Sequence, residues 1–497
     1  MLLPLLQQFP GRVNVSLYHT PDLRGFLKKL IPERYNEVVS VQHLKVYIFD
    51  DTFVTSGANL SDSYFVNRQD RYIRIDGCCE LATFYESLVK AICSFSFCLH
   101  ANNTLSIDQS FGIHPFKGSK KDFQEAARDR VEFVISPKGR TVSKLQHETE
   151  SSISSTFGND QMKVRTSVHE ATSVSNGDSG VGSNVDHGSD DSETTNISRI
   201  DTEGQKSHKC QHASARSFST KGVSKLGSVN NLESKSNLLT KENNSSSTVS
   251  ISNRTEEESL GEICHNVEIQ KSSISDKMQR THENGLVVDT WIYPLVQMGP
   301  LGIHVDQIVT AGLLQNVEEA SKLYLASGYF NLTQQYKDII LRSKGQCEIL
   351  LASPQVNGFY GASGISGFIP DSYTYIARKF YESLCRRNLK DKMRMHEYYR
   401  DGWTFHAKGL WYYLPGQMLP SLTLIGSPNF GHRSVSRDLE SQLAVVTTNE
   451  NLQRQLHKEQ EMLYSRAKTV DDETYQKPDR KVPLWVKVVT VVAHNFY

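Results

Sequence analysis

The chain has 497 residues with 55 basic and 55 acidic side chains, so no global field draws it to a polyanion, which argues against a nucleic-acid binder. Only 38% of the residues are hydrophobic and mean hydropathy is −0.44; at this length that predicts two or more domains and a sizeable polar segment outside any core. The eight cysteines show no paired CxxC spacing and are too sparse for a disulfide scaffold, and no run reaches the roughly 18 apolar residues that cross a bilayer.

Met1 to Phe9 reads as the end of an amphipathic helix, Pro10-Gly11 as a turn, and the alternation from Val13 to His19 as a strand. With no basic residue before its apolar run and no small-residue cleavage pattern, the start reads as neither a signal nor a transit peptide. A strand-like run then carries His43, Lys45 and Asp50, and Thr52 to Thr55 reads as its partner. A Gly-bearing loop, Ser56 to Ser61, holds Asn59, and Asp70 precedes a strand over Arg71 to Ile75. Leu81, Phe84, Leu88 and Ile92 give Glu80 to Ile92 helical spacing.

From about Thr141 to Gly285 the character changes. Phe157 and Phe218 are the only aromatic residues there, proline is absent, and Ser, Asn, Thr, Lys and Glu dominate. Such a stretch buries too little apolar surface to offset the entropy of ordering, which predicts a disordered insert. His208 to His212 contains two histidines and a cysteine but has no second ligand pair at zinc spacing.

Order resumes near Val287. A helix over Val305 to Leu314, a strand over Lys322 to Tyr329, a helix over Leu332 to Arg342 and a strand over Cys347 to Ala352 form a βαβ-type unit. The glycine-rich loop Asn357 to Gly367 matches neither a Walker loop nor a dinucleotide fingerprint. A helix over Tyr373 to Arg387 and a strand over Met393 to Tyr398 lead to His406-Ala407-Lys408, followed by a strand over Leu422 to Ile425 and the loop Gly426-Ser427-Pro428-Asn429. Glu440, a strand over Gln442 to Thr447 and a charged helix over Asn451 to Arg466 complete this part.

The two parts share an order: His-x-Lys strand, partner strand, small-residue loop with asparagine, acid, strand, helix. Internal duplication is the main inference. The chain divides into a first half (1–140), a polar insert (141–286) and a second half (287–497). The first half lacks the βαβ unit that precedes the motif in the second, so either it is naturally shorter or, as is expected here, an N-terminal piece is truncated.

Paired His-x-Lys motifs suit chemistry at a phosphodiester. One imidazole attacks phosphorus, a second moves the proton of the leaving oxygen, and Lys45 and Lys408 neutralise the nonbridging oxygens without a metal ion or cofactor. Each imidazole needs an acceptor on its other nitrogen to fix the tautomer, and Asp70 and Glu440 are the candidates. Asn59, Ser427 and Asn429 either bond phosphate oxygens and the lysines or simply form the turns.

His43-x-Lys45-x4-Asp50 with Gly57 and Asn59, and His406-x-Lys408 with Gly426, Ser427 and Asn429, resemble the phospholipase D superfamily. Gly57 to Phe65, Gly328 to Thr333, Gly402 to Trp411 and Ile425 to Gly431 narrow the resemblance to the eukaryotic mitochondrial phosphatidylglycerophosphate synthases. It implies an α/β fold of two similar halves, each a mixed sheet flanked by helices, facing each other across one site.

The implied activity is transfer of the phosphatidyl group of CDP-diacylglycerol to sn-glycerol 3-phosphate, with release of CMP, in phosphatidylglycerol and cardiolipin synthesis. It also implies peripheral contact with the mitochondrial inner membrane; apolar loops such as Gly358 to Tyr360 or the tail from Val482 to Tyr497 are candidates for it, each equally consistent with core packing. His43, whose motif is complete, is expected as nucleophile and His406 as acid/base, with the reverse left open. Tyr413 stands where the second motif would carry aspartate. Three rivals remain at this point: another phospholipase D-type phosphodiesterase, a serine-accepting phosphatidyltransferase, and an inactive lipid-binding form.

Overall fold

The computed structural model describes residues 2–136, 165–167 and 288–493. In the N-terminal segment the elements are α1 (Leu3–Gln8), β1 (Ser16–Leu17), α2 (Gly25–Leu30), β2 (Val46–Phe49), β3 (Thr52–Ser56), α3 (Asp62–Val66), β4 (Arg68–Gln69), β5 (Tyr72–Asp76), α4 (Cys79–Ser94), β6 (Phe97–Leu99), β7 (Leu105–Ile107) and α5 (Lys120–Ile135). β2, β3 and β5 pair antiparallel, and a short strand β8 (Arg165–Ser167) adds to β5. The expected insert otherwise lies outside the described residues, as does His208 to His212.

The C-terminal segment comprises β9 (Thr290–Met298), β10 (Ile303–His304), α6 (Val305–Gln315), β11 (Lys322–Ser327), α7 (Gln334–Ile340), β12 (Gln346–Ala352), α8 (Ile369–Arg386), β13 (Met393–Tyr398), β14 (Thr404–Phe405), β15 (Lys408–Tyr413), β16 (Leu422–Gly426), α9 (His432–Ser436), β17 (Leu439–Thr447), α10 (Glu450–Ser465), β18 (Ala467–Thr469) and α11 (Leu484–Val492). Nine of its strands form one mixed sheet in the order β10-β9-β17-β16-β15-β11-β12-β13-β18. The predicted βαβ unit is present: β11 and β12 run parallel through α7, and β12 continues parallel to β13. Thr333, whose hydroxyl accepts from the Tyr336 amide, caps α7, and Asn449 caps α10 in the same way through the Leu452 amide.

Side-chain alternation along the central strands explains why the sheet is covered on both faces. Leu325, Ile349, Leu351, Leu410 and Leu424 point to a core shared with Leu314, Tyr336, Ile340 and Phe380 of α6, α7 and α8. Ala326, Leu350, Trp411, Ile425 and Leu443 point to the opposite face, where Phe53, Ile73, Tyr85 and Leu88 of the N-terminal segment pack with them. Each such large apolar side chain, buried from water, contributes on the order of 1.5–3 kcal/mol. The core on this second face is therefore shared by the two segments.

The structure shortens some predicted elements. Only Ser16–Leu17 of the run from Val13 to His19 is paired. The first ladder begins at Val46, leaving His43 and Lys45 in the extended lead-in. The mixed sheet belongs to the C-terminal segment, and the described strands around β3 pair only antiparallel.

Candidate active site

Backbone pairing between the segments places the chemistry. The His43 amide donates to the Leu439 carbonyl at 2.8 Å and the Leu439 amide donates to the Val41 carbonyl at 2.9 Å. The residue after Leu439 is Glu440, so its carboxylate comes alongside His43. On the other side β14 pairs parallel with β4, and the His406 amide donates to the Gln69 carbonyl at 2.8 Å. The residue after Gln69 is Asp70. The outcome is an exchange: Glu440 Oε2 lies 2.8 Å from His43 Nδ1, and Asp70 Oδ2 lies 2.7 Å from His406 Nδ1. Each histidine takes its carboxylate from the other segment.

The lysines repeat one local geometry. Lys45 Nζ donates to the carbonyl of His43 at 2.8 Å, and Lys408 Nζ donates to the carbonyl of His406 at 2.9 Å. The two-residue spacing thus folds each ammonium back under its histidine. Close approach at the second pair needs Gly57, where a Cβ would stand 2.8 Å from Asp70 Oδ1 and 2.9 Å from Lys408 Nζ.

Burial governs the protonation states. It pulls the Lys45 ammonium down to about 7 and that of Lys408 down to about 8, against the neighbouring carboxylates that hold them up. Burial alone would raise the Asp70 and Glu440 carboxyls. Lys408 and His406 reverse this for Asp70, and His43 and Lys45 reverse it for Glu440, so both carboxyls sit below their ordinary value and are anionic. Burial, reinforced by Lys408, takes His406 down to about 3 despite Asp70, and burial also lowers His43. Both imidazoles are therefore neutral near pH 7, with Nδ1–H donating to its carboxylate and the lone pair on Nε2.

His43, Lys45 and His406 line an open cleft of about 800 Å³. Tyr64 and Tyr329 stand edge-on to the His406 ring, with centroids 5.1 and 5.4 Å away, and the Tyr64 hydroxyl lies 3.3 Å from His406 Nε2. Among the described residues no hydrogen-bond partner is found for His43 Nε2.

Nine of the ten residues singled out from sequence form or line this arrangement: His43, Lys45, His406, Lys408, Asp70, Glu440, Asn59, Asn429 and Ser427. Asn59 Nδ2 bonds the Tyr64 hydroxyl at 3.3 Å, and Asn429 leaves its buried Oδ1 without a partner. Ser427 stands against Glu440, whose carboxyl its hydroxyl helps to hold down, and the same hydroxyl donates to the Ser441 carbonyl at 3.1 Å. Asp50 is not brought to the site: it sits exposed in the β2–β3 turn at φ +52°. Seven residues of extended chain carry it about 20 Å from His43.

Tyr413, at the equivalent place in the second motif, is buried and bonds His457 Nδ1 at 3.0 Å and Gln460 at 3.1 Å. Sequence reasoning missed the contacts of Tyr64 and Tyr329 with His406, although both fall inside the quoted motifs.

Sequence reasoning also missed Arg71. Its guanidinium enters the C-terminal segment, bonds both carboxylate oxygens of Glu459 at 3.0 and 2.9 Å, bonds the Leu424 carbonyl at 2.8 Å, and lies 3.7 Å over the Trp411 ring. Gly409, at φ +130°, leaves room for it, because a Cβ there would collide with Arg71 Nη1.

Among the described residues one group has metal-ligand spacing: His43, Asp438 and Glu440, each offering an atom within 4.8 Å of the others. Three of its four carboxylate oxygens are already engaged. Arg433 Nε lies 2.7 Å from Asp438 Oδ2, the Val41 amide donates to Asp438 Oδ1 at 2.8 Å, and Glu440 Oε2 holds His43. That donor set fits a hydrogen-bonded network rather than a cation cage.

No family model matches the chain. It is 40% identical over 497 residues to the mitochondrial CDP-diacylglycerol–glycerol-3-phosphate 3-phosphatidyltransferase of Pongo abelii, covering 100% of this chain and 68% of that protein. The protein of the same name from Gallus gallus is 40% identical, with 100% of this chain and 69% of the relative covered. Among solved structures, phosphatidylserine synthase of Haemophilus influenzae Rd KW20 is similar at TM-score 0.48 and 16% identity, over 92% of this chain and 70% of that one. With its full length aligned to these relatives at such identity, the chain belongs to the CDP-diacylglycerol–glycerol-3-phosphate 3-phosphatidyltransferase family.

Proposed function

We propose that this chain moves the phosphatidyl group of CDP-diacylglycerol to sn-glycerol 3-phosphate in two displacements on His43, with His406 as proton acceptor. The observation that carries this reading is the reciprocal pairing of two neutral imidazoles with anionic carboxylates, each beside a lysine.

In the first displacement His43 Nε2 attacks the lipid-bearing phosphorus. The bond from that phosphorus to the bridging oxygen breaks, and CMP departs with the electron pair. Glu440 accepts the hydrogen bond from Nδ1–H, which keeps that proton on the ring, and offsets the positive charge that develops there. Lys45 and Lys408 face the nonbridging oxygens as charge accumulates there. CMP leaves as a phosphate whose second pKa is about 6, so it needs little protonation.

In the second displacement the acceptor hydroxyl attacks the same phosphorus, its proton passes to His406 Nε2, and the bond to His43 breaks. An alcohol is the group that needs a base, and an imidazole kept neutral by burial is the form that supplies one. The more exposed His43, with its free Nε2, suits the nucleophile, whereas His406 Nε2 rests against Tyr64.

The same reading extends to peripheral attachment at the mitochondrial inner membrane. No helix among the described residues is long and apolar enough to cross a membrane. α11, however, exposes Leu484, Val488 and Val492 at 76, 57 and 80%, and Trp485 on it packs against Phe368 with ring centroids 4.6 Å apart. Phe359 and Leu60, which line the cleft, and the neighbouring Tyr360 are also exposed. Apolar surface continuous with the mouth of a cleft for a diacyl substrate is what interfacial contact requires.

The test is direct: the purified chain in detergent, supplied with CDP-diacylglycerol and glycerol 3-phosphate, releases CMP and forms phosphatidylglycerophosphate. Absence of both products would overturn the proposal.

A further inference from the structure

Lys45 and Lys408 are held under the two histidines by the carbonyls of His43 and His406, where they serve the reacting phosphorus, and Arg433, which lines the cleft, is paired with Asp438 at 2.7 Å. Arg68 differs. It lines the cleft, and among the described residues it forms no ion pair.

Its guanidinium is nevertheless built into place. Arg68 Nε donates to the Thr404 hydroxyl at 2.9 Å, reaching across the β4–β14 ladder to the other segment, and its Cζ lies 4.4 Å over the Tyr64 ring. The Thr404 bond uses Nε, which leaves the terminal nitrogens bound by no carboxylate. A half-buried, uncompensated guanidinium with a fixed plane is matched to a phosphate that it can bind through two parallel bonds.

We infer that Arg68 forms the acceptor subsite, binding the phosphate monoester dianion of glycerol 3-phosphate and so selecting a phosphorylated alcohol over an uncharged one; this rests on the transfer reaction proposed above. Position argues for the acceptor rather than the donor. Arg68 and His406 lie against the same Tyr64 ring, with Cζ and the imidazole centroid 4.4 and 5.1 Å from its centre. Their separation is at most the sum of these distances, which is within the reach of a three-carbon phosphate ester. A phosphate held on Arg68 therefore presents its distal hydroxyl to the base, His406 Nε2. Lys45 and Lys408 remain for the reacting phosphorus. The plane of Arg68 is fixed by Thr404, so the arginine selects and positions while His406 takes the proton.

The experiment uses the full chain with Arg68→Gln, Arg68→Lys and Thr404→Val. The KM for glycerol 3-phosphate is measured at saturating CDP-diacylglycerol, the KM for CDP-diacylglycerol is measured in turn, and glycerol 3-phosphate binding is read by calorimetry in the absence of donor. Arg68→Gln is expected to raise the acceptor KM about 10–100-fold and to weaken calorimetric binding equally, as loss of a charge-assisted pair does, while the donor KM stays within about twofold. Arg68→Lys, which keeps the charge and loses the fork, is expected to fall between.

An unchanged acceptor KM, or a donor KM that rises as much as the acceptor KM, overturns the inference. If Arg68→Gln does not fold by thermal melting, Thr404→Val carries the test: a several-fold weaker acceptor supports the subsite and an unchanged one overturns it. Should the wild type bind glycerol 3-phosphate through Arg68 yet transfer nothing, the reaction fails and the subsite stands.

Discussion

Glu440 and His43 are 397 residues apart in the chain and 2.8 Å apart in the structure. The contact follows from one backbone bond, the His43 amide to the Leu439 carbonyl, which fixes the register of the two segments. Asp70 and His406 stand in the same relation. Glu440→Gln and Asp70→Asn keep the shape but offer the imidazole an amide that can impose the wrong tautomer. Each is expected to keep the wild-type melting temperature within a few degrees and to lower kcat by about 100–10,000-fold, by analogy with a catalytic carboxylate that orients a histidine. Steady-state CMP release checks this, and a loss below tenfold in both would remove the orienting role.

The two histidines separate in a trapping experiment. With donor labelled in its phosphatidyl group and no acceptor, acid-quenched wild-type protein is expected to carry label that is labile as a phosphohistidine. His43→Ala should carry none. His406→Ala should retain it, because the second displacement lacks its base. Label on His43→Ala would reverse the assignment.

Activity and stability should move in opposite directions with pH. Folded Lys45 and Lys408 lose their protons near 7 and 8, against an ordinary lysine value of 10.5. Between these values the unfolded chain binds more protons, so stability rises with pH across that window. The charge needed at phosphate is lost over the same range, so kcat/KM for the donor should fall above about pH 7–8. Bound phosphate favours the ammonium form, which shifts the limb of kcat to higher pH. On the acid side, His406 titrates near 3 when folded and near 6.5 when unfolded, so stability declines as pH falls from 6.5 toward 3. Denaturant melts at pH 5, 7 and 9 check the sign.

Arg71 and Glu459 form a buried pair joining the segments, at 1 and 6% side-chain exposure. Removing one partner leaves the other charge uncompensated, so Glu459→Ala or Arg71→Ala should cost about 3–5 kcal/mol. The double substitution should cost less than the two single effects added, which a denaturation cycle measures. Gly409→Ala should be as damaging as either, since its methyl group occupies the guanidinium's path.

Membrane attachment has its own test. Val488→Asp with Val492→Asp on α11 alters exposed positions only, so the melting temperature should hold. Flotation with anionic liposomes should fall about tenfold or more, from lost apolar contact and added negative charge. Unchanged flotation would dismiss α11 as the contact.

Much of this architecture was readable in the residues because it is local. Periodicity marked the βαβ unit from Lys322 to Ala352 and the helices over Glu80 to Ile92 and Asn451 to Arg466 nearly to their ends. The duplicated His-x-Lys spacing marked the cleft. What the sequence did not disclose depends on register between distant strands. Asp70 and Glu440 were identifiable as acids near strands, but nothing local indicates that each serves the opposite histidine. Arg71 read as an ordinary strand residue, and only the arrival of Glu459 and Trp411 from the other segment makes it structural. Asp50 misled because its motif position is conspicuous, whereas the turn after β2 carries it away from the cleft.

The exchange of carboxylates has the logic of a two-fold axis. A phosphorus atom between His43 and His406 would meet two near-equivalent imidazole, lysine and acid sets, and a symmetric site has no means of deciding which imidazole bonds and which moves the proton. Direction must come from what breaks the symmetry. Here Tyr64, backed by Arg68, and Tyr329 crowd one histidine and leave the other's Nε2 open. The order of events is thus written in the surroundings of the motifs and is absent from the motifs themselves.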